Sequence, residues 1–355
     1  MGIALAVGGA STNAQSSGSY PSAAVTAASG SDVKVPTLGR TALMDAASRG
    51  HLDVVQALLD RKADVSDVNA DGDTALLVGA KAGHVGIVKL LLTASANPSE
   101  PNKSGETPLI AAAREGHGAI VRALLAAGAH VEDRNTAGDT ALGLAARGCF
   151  DATFEALLAA KSRIDVPDAQ GRTPLMHAAV SCDSSTLSVL HRHGAAASAL
   201  DKSGRSALWY AADHANRAAI DHLIGLGAAL DTADSMGETP LMRAVARQDL
   251  ASVRLLIAKG SDVNRASVVG NSALMLAARL GSGAAASELA KAGARINARN
   301  ANGYSALMLA AQAGHADIAR TLIAAGADRS LRNSKRETAK DIASAAGDRE
   351  LADQL

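Results

Sequence analysis

From residue 39 onward the apolar and polar positions of the chain repeat every 33 residues. Glycine opens each unit, at 39, 72, 105, 138, 171, 204, 237, 270 and 303. With that glycine as position 1, leucine stands at position 5 in all nine units, from Leu43 to Leu307. It stands at position 20 in all nine as well, from Leu58 to Leu322, and positions 8 and 9 are nearly always alanine. A period of this length predicts stacked supersecondary units, each burying its apolar face only against its neighbours.

The clearest unit reads GETPLIAAAREGHGAIVRALLAAGAHVEDRNTA, residues 105 to 137. Thr107 can cap a helix, and Pro108 suits the first turn, where no intrahelical partner is needed. Leu109, Ala112 and Ala113 follow at helical spacing, and Gly116 ends that short helix. Ile120, Val121, Leu124 and Leu125 form the stripe of a second helix that closes at Gly128, where left-handed backbone is favoured. An extended loop leads on to the next glycine.

This unit resembles the ankyrin repeat, known by its length and its T-P-L-H-x-A pattern. The resemblance covers residues 38–355 and implies an all-α solenoid of helix–turn–helix units joined by short β-hairpin loops. Nine repeats begin at residue 39, and 336–355, with Arg336 in place of glycine, reads as a C-terminal cap with a polar outer face. Two departures stand out. The histidine after T-P-L is absent, and position 6 is often methionine instead, as at Met44, Met176, Met242, Met275 and Met308. Alanine replaces proline at Ala42, Ala75, Ala141, Ala207, Ala273 and Ala306, which costs little in a helix.

Residues 1–37 lie outside the repeats. Ile3 to Ala10 resembles the apolar part of a secretory signal peptide, with a small-residue cleavage site near Ala14. A basic leading segment is missing, as it would be if the start codon were placed too far downstream. Residues 15 to 37 read as a flexible Ser/Ala/Gly leader. The signal reading predicts a periplasmic or secreted bacterial protein; an ordinary disordered tail would leave it cytoplasmic. Ala6 stands where an N-myristoylation signal needs Ser or Thr.

Composition narrows the function. Thirty-five basic residues balance thirty-five acidic ones, so no global field recruits nucleic acid or an anionic membrane. No apolar run approaches the length that spans a bilayer. No phosphate loop, dinucleotide fingerprint, G-x-S-x-G or H-E-x-x-H occurs, so neither catalytic residues, cofactor nor metal ligands are assigned. His51, His84, His117 and His315 all fall at position 13, one per repeat, and read as turn-stabilising residues. Cys149 and Cys182 both fall at position 12, one repeat apart. Helices pack at roughly 10 Å, beyond the reach of a bridge, which predicts two separate thiols.

What remains is protein binding. The resemblance implies a concave groove lined by positions 2, 10, 11 and the two residues before each glycine. Positions 10 and 11 supply a basic row: Arg49, Lys81, Arg114, Arg147, His214, Arg247 and Arg279. It reads either as a groove for an acidic partner or as cations answering the dipole at the end of each first helix, partly neutralised by Asp73, Glu106, Asp139 and Glu238. Aromatic residues make up only 2% of the chain, yet Trp209 and Tyr210 stand side by side in SALWYAADHAN. Trp209 interrupts the methionine row of position 6, with His177 and Arg243 at position 7 of the flanking repeats, a pairing that resembles a binding hot spot. Trp209 equally reads as filler for space left by small neighbours. The hot-spot reading places a partner over repeats five to seven, on Trp209, Tyr210, Asp213, His214, Arg205, Arg247, Met176 and Met242. A monomeric, non-catalytic scaffold is therefore expected. An accessory subunit of a periplasmic enzyme, a secreted effector acting on host proteins, and a hydrolase with an unrecognised site are the rivals.

Overall fold

The computed structural model describes residues 34, 35 and 40–355, so the segment expected to be a signal sequence and most of the expected leader lie outside the described residues. Among the described residues twenty helices pair into ten helical hairpins, from α1 (Ala42–Arg49) with α2 (Leu52–Asp60) to α19 (Ala339–Ala345) with α20 (Arg349–Gln354). Odd-numbered helices stack on one another as an inner layer and even-numbered ones as an outer layer. Each inner helix begins at a Ser or Thr in position 3 whose hydroxyl accepts the N–H three residues on. In the third repeat Ile110 N donates to Thr107 Oγ1 at 3.3 Å, with Pro108 in the first turn. One capping bond per repeat removes one of the four donors a helix start leaves unpaired.

The core is the expected seam. Every position-5 leucine is buried, and Leu91 through Leu322 at position 20 are 0% exposed. Leu58 is only half-buried, because no helical hairpin precedes α2 among the described residues. At the far end Leu351 and Ala352 are buried against the preceding hairpin, while the other residues of α20 are polar. Among the described residues no helix is long and apolar enough to cross a membrane.

The loops between repeats are hairpin-like fingers rather than regular sheet. Lys34–Val35 (β1) and Arg40–Thr41 (β2) pair antiparallel; farther on, isolated bridges such as Arg134↔Thr140 remain. Successive fingers join by one backbone bond each, for example Thr136 N to Ser104 O at 2.9 Å and Val268 N to Met236 O at 2.9 Å. The described fingers are closed from within by an Asn or Asp three residues before the position-1 residue, except that Ser267 serves before Gly270. Asn102 Oδ1, for instance, accepts from Ser104 N and Glu106 N.

The helix turns show how repeats lock together. The ring of His84 sits on Gly50 of the preceding repeat, and its Nε2 lies 3.2 Å from Ser48 O. His117 does the same over Gly83, bonding Lys81 O at 3.2 Å, and His315 packs on Gly281. Phe150 takes this place over Gly116. A Cβ on Gly50 would fall 2.7 Å from the His84 ring, so a ring at position 13 requires glycine at position 12 of the repeat before it. His84, His117 and His315 thus stabilise turns, as expected.

Repeats four to seven lack that glycine, and their successors carry Asp183, Asn216, Asp249 and Ser282 instead of a ring. Between repeats four and five a different lock appears, and it corrects the expectation of two separate thiols. Cys149 and Cys182 form a disulfide with Cα atoms 5.3 Å apart. Helix-axis spacing did not apply, because Cys182 is not helical. It follows α9 (Pro174–Ser181) in extended backbone at φ −82° and ψ 160°, while Cys149 follows α7 (Ala141–Gly148) in left-handed backbone at φ 57°. Asp183 then caps α10 (Ser184–Arg192), leaving the space under the turn to sulfur.

Candidate functional site: the inner face of repeats five to seven

Position 7 of the inner helices looks onto the concave side and is apolar in most repeats, as at Val78, Ala111, Leu144, Leu276 and Leu309. In repeats five to seven it becomes His177 on α9, Tyr210 on α11 (Ala207–Asp213) and Arg243 on α13 (Pro240–Ala246). Each polar side chain needs a partner at this depth, and the fingers provide one. His177 Nε2 donates to Asp168 Oδ2 at 3.1 Å, and Tyr210 Oη donates to Asp201 Oδ2 at 2.6 Å. Arg243 bonds Asp213, and its Nη1 donates to Glu238 Oε2 at 2.8 Å. Arg247 Nη2 joins Asp213 Oδ2 at 2.8 Å, and His214 Nδ1 donates to Tyr210 O at 3.0 Å.

These contacts set the protonation states. Burial, reinforced by Arg147 and Arg172, pushes His177 down to about 4 despite the carboxylates beside it, so the imidazole is neutral near pH 7. Burial would raise Asp213, but hydrogen bonds from Arg247 and Arg243 hold it below the usual carboxylate range. Burial and the bond to Asp201 raise the Tyr210 hydroxyl to about 12. The belt therefore holds its charges fixed: buried carboxylates, with guanidinium groups outward.

Trp209 lies under this belt. It is 4% exposed, with Arg205 4.7 Å and Arg243 5.0 Å from its ring and Tyr210 edge-on at 5.4 Å. Position 6 is interior throughout, from Met44 to Met308. Met176 and Met242, expected on the groove, are each 1% exposed and belong to the core; the Met176 sulfur folds back to accept from Thr173 N at the start of its own helix. The burial of Trp209 agrees with its reading as a space-filling residue, although Met176 and Met242 rather than small residues flank it at the same position. Of the eight residues expected at a partner site, the structure brings Arg205, Tyr210, Asp213, His214 and Arg247 to the concave side around Trp209. Their exposure is unequal: Arg205, His214 and Arg247 reach the surface, whereas Tyr210 and Asp213 are buried supports.

The basic row is largely paired. Arg114 meets Glu106 at 2.6 Å, Arg147 meets Asp139 at 3.0 Å, and Arg49 meets Asp45 at 3.0 Å. Neutralisation by position 2 thus holds for Glu106 and Asp139.

Two features escaped the sequence reading. Asp139, Asp168 and His177 bring ligand atoms within 4.8 Å of one another where repeats four and five meet. These are donors a cation could use, but Arg147 and Arg172 already hold the two carboxylates. The second feature is a charge exchange. Fingers built on Asn69, Asn135 and Asn333 donate to an acid at position 2, Asp73, Asp139 or Glu337. In repeats five and six position 2 is Arg172 or Arg205, and the finger residue is Asp168 or Asp201. That Asn-to-Asp change alongside an acid-to-Arg change was the signal that marks the belt.

A family model described as ankyrin repeats (3 copies) matches overlapping stretches of the chain: 13–102, 43–135, 94–168, 149–234, 175–267, 210–300 and 274–355. The chain belongs to the ankyrin repeat family. Proteins of this family are generally protein-interaction scaffolds and are typically non-catalytic. No curated protein matches the chain.

Proposed function

We propose that this chain is a non-catalytic scaffold that binds a protein partner on the concave face of repeats five to seven. The observation that carries the reading is the polar belt at position 7. Five of the other six repeats stack with Val, Ala or Leu there, the first carrying Asp45, so stacking does not call for His177, Tyr210 and Arg243. Buried Asp213 holds Arg247 at the surface, and Arg205 lies over the Trp209 ring beside it, the composition of a binding hot spot. The test compares proteins recovered on wild-type chain with those recovered on Arg205→Gln/Arg247→Gln. A partner retained equally by both removes the groove from the account.

We further propose export to an oxidising compartment such as a bacterial periplasm. The Cys149–Cys182 bridge supports this, because such bonds persist mainly outside the reducing cytosol. Within that compartment the scaffold is an accessory subunit of an enzyme, or, if released, an effector. A reporter fused to residues 1–37, extended upstream to the true start, is expected in the periplasm after cleavage near Ala14. A cytoplasmic, uncleaved reporter contradicts export while leaving the groove untouched.

A further inference from the structure

Arg205 differs from the other arginines of the belt. Arg243 and Arg247 spend several donors on Asp213 and Glu238, and Arg172 Nε bonds Asp168 at 2.8 Å. Arg205 lies over the Trp209 ring, its buried Nε has no hydrogen-bond partner, and the nearest carboxylate oxygen, Asp234 Oδ2, is 3.9 Å away. Its side chain is 38% exposed. A partly exposed guanidinium set over an indole, with no carboxylate of its own chain in hydrogen-bonding range, is suited to take one from a partner.

Asp234 also accepts the backbone N–H of Met236 at 2.9 Å, which places the next fingertip beside Arg205. Here the fingers change character. The two residues before the glycine are small or polar in the other described fingers, as in Lys103-Ser104, Ala169-Gln170 and Lys202-Ser203. At repeats seven and eight they include Met236 and the pair Val268-Val269, which are 57%, 70% and 49% exposed. The bond from Val268 N to Met236 O makes them one apolar ledge. Contiguous exposed apolar side chains rimmed by charge mark an interaction surface, unlike scattered ones.

We infer that the partner contributes a segment with an acidic side chain next to an apolar one. The carboxylate pairs with Arg205, and the apolar side chain packs on Met236, Val268 and Val269. This rests on the groove reading above and names the chemistry of its occupant. Random displayed peptides, selected on the oxidised full-length chain, test it. The expected peptides are enriched in Asp or Glu beside Leu, Ile, Phe or Val. Their affinity falls about tenfold with Arg205→Gln and with Met236→Ser/Val268→Ser, and is unchanged by Arg192→Gln on outer helix α10. Peptides lost with Arg247→Gln but lacking that composition overturn this inference and leave the groove reading standing. Peptides indifferent to every groove variant overturn both. If no peptide is selected, or if the free chain dimerises until Met236→Ser/Val268→Ser is introduced, the acidic-segment occupant is wrong.

Discussion

Cys182 is bonded to Cys149 at the place in the stack where His84 rests on Gly50 and His117 rests on Gly83. The covalent lock and the ring-on-glycine lock answer the same need, which is to tie the turn of one repeat to the next. Repeats four to seven have lost the glycine that receives the ring, and Ala215 and Gln248 hold left-handed backbone without being glycine, at about 1 kcal/mol or more each. Thr153 and Ser252 add buried hydroxyls without partners in the same region. The central repeats are therefore the least stable, and the disulfide holds them at one junction.

Closing a loop of 33 residues predicts that reduction lowers stability by about 3–4 kcal/mol on the chain-entropy estimate. Urea unfolding with and without reductant measures it. The same loss is expected in Cys149→Ser/Cys182→Ser, which should not respond to reductant. Hydrogen exchange under reducing conditions is expected to open repeats four to seven first. Protection that is highest there contradicts this account.

The ring-on-glycine lock makes a paired prediction. Gly83→Ala introduces a Cβ 2.8 Å from the His117 ring on left-handed backbone, a loss of about 2 kcal/mol or more. In a His117→Asp background, which copies the Ala215/Asp249 junction, the same substitution should cost about 1 kcal/mol. Equal costs in both backgrounds would show that the ring does not constrain position 12. Thermal unfolding of the four proteins decides it.

His177 predicts a pH dependence. Its folded pKa of about 4 lies below the unfolded value of 6.5, so the unfolded chain binds the proton first. Its contribution is complete above about pH 6.5 and is lost as pH falls toward 4, about 3 kcal/mol in all. Asp168 and Asp213 are held below the usual carboxylate range and titrate beneath this window. Glu106, raised by burial, works in the opposite sense, so the difference between wild type and His177→Gln isolates the imidazole. That difference should change by about 3 kcal/mol between pH 7 and 4. A difference independent of pH means that His177 titrates normally in the fold.

The repeats, their Ser/Thr caps and the leucine seam were legible because a 33-residue period states them nine times. The disulfide was not. Its formation depends on Cys182 leaving helical backbone, and a mean repeat geometry contains no such exception. Met176 and Met242 were placed on the wrong side because the first helix is buried almost all round, so its apolar pattern does not distinguish core from groove. The groove itself could be read only through exceptions to the period, at positions 2 and 7 and in the finger residue.

The central claim is that a partner lies on the concave face of repeats five to seven. Site-specific photocrosslinking in cells tests it most directly, with a photoreactive residue in place of Arg247, of Met236, or of Arg192 on the outer helix. All three side chains are exposed, so the probe leaves the core intact. The account predicts one shared protein adduct from Arg247 and Met236 and none from Arg192. An adduct from Arg192 alone, or no adduct at either groove position, would contradict it.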